Sequence, residues 1–168
     1  MKQILTEWRK YIAEEDNLEQ NIYSFDFDNT LIRYHTLEDG DVEYIGPHQD
    51  NIHLAKDLAA QGNKVIIVTS RYRTSGPKKP WDDAPNPDEL IAEFDLPIEE
   101  VYYTDGNLKA SKLTELGVSK HWDDDEDEVA AAEAAGIEGV LVAVEKGLTD
   151  RLRDKWVDLL SKEKEETN

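Results

Sequence analysis

The chain has 168 residues, 38 acidic side chains against 19 basic ones, a formal net charge of −19 and no cysteine. That length suits one domain with its own hydrophobic core, and 39% hydrophobic residues exclude a wholly disordered chain. No apolar run approaches the roughly 20 residues that span a bilayer, disulfide and thiolate chemistry are excluded, and excess acid disfavours broad contact with a phosphate backbone.

The opening segment places Ile4, Leu5, Trp8, Tyr11 and Ile12 at helical spacing, which predicts an amphipathic helix within residues 1–20. It lacks the apolar core of a secretory leader, and a cytoplasmic location is expected, compatible with the absence of cysteine. Residues 21–27 read as a short buried strand. Residues 31–46 read as a hairpin around Glu38, Asp39 and Gly40. A helix is predicted over 51–61 with Ile52, Ala55, Leu58 and Ala59 inward and Gly62 closing it.

The apolar run Val65, Ile66, Ile67, Val68 has the pattern of a parallel strand buried on both faces. Residues 74–87 hold four of the six prolines and read as a surface loop. Asn86, Pro87 and Glu89 form a helix start with cap, first-turn proline and capping box, and that helix is expected to end near Phe94. Then follow a strand at 101–103, a helix at 108–116, a strand at 120–122, a helix at 129–135 closed by Gly136, and a strand at 140–143. Leu148, Leu152, Trp156, Leu159 and Leu160 line one side of a terminal helix, followed by a polar tail. The expected organisation is therefore an N-terminal helix (1–20), an α/β body (21–144) and a C-terminal helix with tail (145–168). Strands alternating with helices at this spacing predict a Rossmann-like three-layer sandwich around a mostly parallel five-stranded sheet.

In such sheets ligands sit beyond the carboxyl ends of the strands. After the first strand stand Asp26 and Asp28. After the second stand Thr69, Ser70 and Arg71. After the third comes Thr104, Asp105 and Gly106, with Lys109 in the first turn of the next helix; after the fourth come Asp123, Asp124 and Asp125. Carboxylates converging on one edge call for a cation, and an all-oxygen donor set favours magnesium. Residues 21–144 carry 26 of the 38 acids but only 10 of the 19 bases, so the chemistry is expected in this central part. Asp125, Glu126, Asp127 and Glu128 read as the solvated acidic start of a helix. His35, His48, His53 and His121 show no ligand spacing and read as surface or core residues.

The set Asp26-x-Asp28-x-Thr30, Thr69 after its strand, Lys109, and Asp123 with Asp124 resembles the four motifs of the haloacid dehalogenase superfamily, in the family's order, across residues 21–144. The resemblance implies an aspartyl-phosphate mechanism with magnesium. Asp26 would be nucleophile, and Asp28 general acid and base with its carbonyl on the metal. Thr69 (or Ser70) and Lys109 would hold the phosphoryl group, with Lys112 a weaker candidate. Asp26 and Asp124, with Asp123 beside them, would hold the metal.

No insertion between these motifs is long enough for a folded cap, so a minimal cap and an open site are expected. The Thr69-x-Arg71 step is similar to the phosphatase half of bacteriophage polynucleotide kinases, which implies the 3′-phosphate of a nucleic-acid end as substrate, with Arg71 at the phosphate. Lys78, Lys79 and Trp81 are candidates to track a backbone and stack a base. Two departures stand against that group: no P-loop occurs in the sequence, and Arg33 stands closer to the first motif than the group's further arginine. The alternatives are a nucleotidase or other small-molecule phosphatase, and a non-catalytic binding protein on the same fold.

Overall fold

Seven strands and four helices follow one another in a computed structural model that describes residues 20–37, 42–73 and 84–144. The strands are β1 (Ile22–Phe25), β2 (Ile32–Thr36), β3 (Val42–Pro47), β4 (Lys64–Thr69), β5 (Val101–Tyr103), β6 (Lys120–Asp123) and β7 (Glu138–Leu141). The helices are α1 (Gln49–Ala60), α2 (Pro87–Phe94), α3 (Ala110–Glu115) and α4 (Glu126–Ala134). The two expected terminal helices, the turn at Glu38, Asp39 and Gly40, and Lys78, Lys79 and Trp81 lie outside the described residues.

Five strands form one sheet in the order β5-β4-β1-β6-β7, every pair parallel. The chain starts in the middle at β1, builds outward through β4 and β5, then crosses to β6 and β7 on the other side. The switch in strand order therefore falls at β1, and the carboxyl ends of β1, β4 and β6 open side by side.

Side-chain alternation along β4 sorts the core into two layers. Val65 and Ile67 join Phe25, Ile52 and Ala55 of α1 and Leu90 of α2 on one face. Ile66 and Val68 join Leu113 of α3 and Ala132 of α4 on the other. Both faces of β4 are thus covered, as its unbroken apolar run requires, and the α/β three-layer arrangement follows. Trp122 stacks on Phe25 at 4.6 Å between centroids, tying β6 to β1 across the first layer.

The capping box of α2 forms as its sequence dictates: the Asn86 side chain accepts from the Glu89 amide at 2.9 Å, and Glu89 accepts from the Asn86 amide at 2.9 Å. Several boundaries differ from expectation by one to three residues, and three of the differences have a visible cause. β1 is shorter, ending at Phe25, because Leu31 and Ile32 turn back to bond the Phe27 carbonyl. Helix α4 starts at Glu126, three residues before Val129, because Asp125 caps it by accepting from the Asp127 amide at 2.8 Å.

Strand β7 runs over 138–141 rather than 140–143, paired Lys120 to Glu138 through Asp123 to Leu141. Gly139 sets that register. A Cβ there would lie 2.8 Å from Val129 Cγ1 and 3.0 Å from its carbonyl, so only glycine lets α4 approach the strand this closely.

Among the described residues, the insertion between β1 and α1 holds the antiparallel β2–β3 hairpin and no further strand or helix. Among the described residues no helix is long and apolar enough to cross a membrane.

Candidate functional site

Asp26 follows β1 and is held by its own amide, which donates to the Trp122 carbonyl at 2.8 Å. The residue is buried, 4% exposed. Two residues on, Asp28 is half-exposed, and Phe27 between them is fully buried and anchors the turn. Asn29 adopts a left-handed conformation at φ 55°, tolerable for asparagine, and the chain then turns down so that the Thr30 carbonyl accepts from Asn51 of α1 at 2.7 Å.

Lys109 immediately precedes α3, at its cap rather than within its first turn. Its amide donates to Glu128 Oε2 of α4 at 2.9 Å, and its side chain is only 3% exposed. The ammonium Nζ lies 2.6 Å from Asp123 Oδ2 and 3.0 Å from Asp26 Oδ1. The first contact is a hydrogen bond. The second is an ion pair without hydrogen-bond alignment, so Asp26 Oδ1 is buried with no hydrogen-bond partner.

Asp123 is the last residue of β6 and fully buried. Its Oδ2 also meets His121 Nε2 at 2.8 Å, and its Oδ1 accepts from the Asp125 amide at 3.1 Å. His121 Nδ1 in turn meets Ser24 Oγ at 2.8 Å.

Charge burial governs the acidity of the cluster. Burial pushes Asp26 up to about 8; Lys109 opposes that shift and the Asp123 charge adds to it. Asp123 is also penalised by burial, but the bonds from His121 and Lys109 prevail and hold it below the usual carboxylate range. Lys109 loses to burial and regains more from Asp26 and Asp123, ending above the usual lysine range. Asp124 is raised to about 6, chiefly by burial, against a bond from the Asn29 side chain.

Carboxylate oxygens of Asp26, Asp123 and Asp124 lie within 4.8 Å of one another. The donor set is all oxygen, one buried oxygen of Asp26 is unsatisfied, and two of the three carboxyls resist ionising without more positive charge than Lys109 supplies. These residues fit a hard divalent cation.

The carboxylate of Asp28 points elsewhere. Arg71 grips it with Nε on Oδ2 at 2.8 Å and Nη2 on Oδ1 at 2.7 Å, and the Tyr34 hydroxyl donates to Oδ1 at 2.9 Å. The Arg71 guanidinium also lies 4.6 Å over the Phe27 ring. Thr69 ends β4 fully buried, its Oγ1 accepting from the Arg71 amide at 3.3 Å, whereas Ser70 is exposed. Lys112 faces away, paired with Glu115 at 2.6 Å.

The geometry therefore gathers Asp26, Lys109, Asp123 and Asp124 into one cluster, with Asp28 and Arg71 paired beside it. Sequence reasoning missed Ser24, Tyr34, His121 and Glu128. The spacings Ser24-x-Asp26 and His121-x-Asp123 are a signal for two of them, since residues two apart on a strand share a face. Glu128 is a correction: it is 7% exposed and caps Lys109, not part of a solvated run.

No protein-family model and no curated protein sequence matches the chain. Among solved structures it is similar to a hypothetical protein of Xanthomonas campestris, at 22% identity and TM-score 0.42 over 71% of this chain and 62% of that one. It is also similar to a Vibrio cholerae protein whose name assigns it 3-deoxy-D-manno-octulosonate 8-phosphate phosphatase activity, at 13% identity and TM-score 0.42 over 68% of this chain and 62% of that one. The chain thus spans less than two thirds of either neighbour's length.

Proposed function

We propose that the chain is a magnesium-dependent phosphomonoesterase of haloacid dehalogenase type. One observation carries the reading: three carboxylates within 4.8 Å of one another share a strand-end crevice with a buried lysine 3.0 Å from Asp26. Asp26 and Asp124, with Asp123 and the Asp28 carbonyl, are the groups to hold magnesium, which when bound offsets the charge of the carboxylates and of the transferring phosphoryl.

Asp26 attacks phosphorus, forming an oxygen–phosphorus bond as the ester oxygen–phosphorus bond breaks. Asp28, as acid, gives the leaving oxygen its proton. As carboxylate it then takes a proton from the water that attacks the aspartyl-phosphate and releases Asp26. Thr69 offers a hydroxyl to a phosphoryl oxygen, Ser70 being the alternative, and Lys109 holds charge beside the nucleophile.

The narrower reading is a 3′-phosphate at a nucleic-acid end, supported by the Thr69-x-Arg71 step and by an insertion after β1 no larger than one hairpin. A small-molecule phosphatase is the second reading, favoured by the net charge of −19, which disfavours long nucleic-acid contacts.

Phosphate release from an aryl phosphate, a 3′-phosphorylated oligonucleotide and mononucleotides, with magnesium and with chelator, tests both. Metal-dependent release lost in Asp26→Asn is expected, with the oligonucleotide preferred. Equal turnover by Asp26→Asn would sink the mechanism. Preference for mononucleotides would select the second reading, and folded, metal-binding protein without turnover on any substrate would select a binding role.

A further inference from the structure

Ser24 and His121 are register partners on β1 and β6, and Ser24 also pairs with Ile66 of β4. Partners in a parallel sheet face the same side, so both project into the layer that otherwise holds Ile66, Val68, Leu113 and Ala132. Both are 0% exposed. Burying an imidazole and a hydroxyl in an apolar layer costs free energy unless each is bonded, and apolar residues would fill the space without that cost. Their bonds form one chain: Ser24 Oγ to His121 Nδ1 at 2.8 Å, and His121 Nε2 to Asp123 Oδ2 at 2.8 Å.

The direction of that chain follows from donor chemistry. A carboxylate only accepts, so Nε2 carries the hydrogen toward Asp123. In the neutral ring that leaves Nδ1 as the acceptor, and the Ser24 hydroxyl, which can donate or accept, gives it a hydrogen.

We infer that Ser24 and His121 are positioning residues: they lock the Asp123 carboxylate from below, and through it hold Lys109 beside Asp26. Asp123 Oδ2 takes two donors, His121 and Lys109, and Oδ1 takes the Asp125 amide. Without His121 the carboxylate could turn with the lysine. With it, Lys109 has one fixed anchor at 2.6 Å and stays 3.0 Å from the nucleophile. Outer partners of this kind orient metal-site carboxylates and typically change metal affinity roughly 10- to 100-fold when removed. Only the activity consequence rests on the phosphatase reading; the relay and its effect on metal affinity stand apart from it.

The test uses the full chain, wild type and three variants: His121→Leu, His121→Gln and Ser24→Ala. Long-range proton–nitrogen NMR on the metal-free protein reads the His121 tautomer and the Lys109 ammonium. Calorimetric titration with magnesium reads affinity.

The expected result is an Nε2-protonated His121 and a Lys109 ammonium signal protected from exchange in wild type. That protection is lost in His121→Leu, where magnesium affinity falls roughly 10-fold or more. His121→Gln, whose amide can donate in place of Nε2, recovers most of the loss, and Ser24→Ala falls between. A ring without a proton on Nε2 overturns the relay, as do folded His121→Leu protein that binds magnesium like wild type and equal loss in the glutamine and leucine variants. If His121→Leu does not fold, the tautomer and the order Ser24→Ala below wild type decide. Wild type that turns over no phosphoester while the NMR and affinity results hold would remove the phosphatase reading and leave the relay.

Discussion

Arg71 holds both carboxylate oxygens of Asp28, at 2.8 and 2.7 Å, while its Nη2 also donates to the Tyr34 hydroxyl at 2.9 Å. The hairpin thereby reaches the site through Tyr34. With both oxygens accepting from Arg71, Asp28 must part from it to serve as the proposed acid. A substrate phosphate is the anion suited to draw Arg71 away, because a guanidinium meets phosphate and carboxylate with the same two-pronged geometry.

Arg71→Lys and Arg71→Ala should therefore behave alike, since an ammonium cannot reproduce a bidentate clamp. Both are expected to raise KM for a phosphomonoester and to lower kcat/KM at least about tenfold, a loss of roughly 1.4 kcal/mol in transition-state binding. Stability should change by less than about 1 kcal/mol, because the pair is partly exposed and screened. Steady-state kinetics beside urea denaturation checks this. Unchanged kinetics in both variants would reduce the clamp to a surface ion pair.

Acidity in the cluster links stability, pH and metal. Asp26 is raised to about 8 and Asp124 to about 6 in the folded chain, so the folded state binds more protons than the unfolded one between pH 4 and 8 on the order of these values. Metal-free protein should lose stability as pH rises through that window. Asp123, held low, contributes stability that is lost only on acidification below the ordinary carboxylate range. Lys109, held high, loses its contribution only above the ordinary lysine range, so neither opposes the trend. Magnesium needs the deprotonated carboxylates; its affinity should rise from about pH 5.5 to 8, with proton release on binding, and its thermal stabilisation should be largest at the alkaline end. Melting curves with and without magnesium across that range decide, and a metal-free Tm that climbs steadily to pH 8 would contradict the burial argument.

The strand ends were legible where an apolar or aromatic stretch stops at polar residues, as at residues 65–68 before Thr69, Val101–Tyr103 before Thr104 and Trp122 before Asp123, so Asp26, Thr69, Lys109, Asp123 and Asp124 could be read in chain order. The edge strand β7 was misplaced by two residues, because its boundary depends on Gly139 meeting α4 and not on the apolar run. Interactions that cross between elements left almost no trace. Tyr34 reaches Asp28 only through the path of the hairpin, and Glu128 sits in an acidic run that gives no hint of which carboxylate turns inward. His121 and Ser24 become partners only once β1 and β6 are adjacent, which a sequence without pairing information does not reveal.

Glu128 is expected to matter for folding more than its place in that run suggests. Its carboxylate receives the Lys109 amide at 2.9 Å, joining α4 to the start of α3. Glu128→Ala should cost about 1–3 kcal/mol by leaving that buried amide unpaired. Glu128→Gln, which keeps an acceptor oxygen, should cost less than half as much. Urea denaturation of the two variants separates the hydrogen bond from the charge; equal losses would mean that the charge, not the bond, is what the amide requires.

Lys109 and Asp26 should be strongly coupled. Lys109→Met leaves Asp26 and Asp123 facing each other without a cation, and breaking a buried pair from one side costs about 3–5 kcal/mol. Asp26→Asn removes one of those carboxylates and its desolvation cost, so in metal-free protein above about pH 8, where Asp26 ionises, it should be neutral or stabilising, and with magnesium present it should abolish turnover. The double variant should then be more stable than Lys109→Met alone, with an interaction of about 0.5–3 kcal/mol. His121, the other donor to Asp123 Oδ2, is unchanged in every corner of the cycle, so the coupling reports Lys109 and Asp26 themselves. Denaturant unfolding of the four proteins with chelator present measures it, and additive effects would show that Lys109 answers to Asp123 alone.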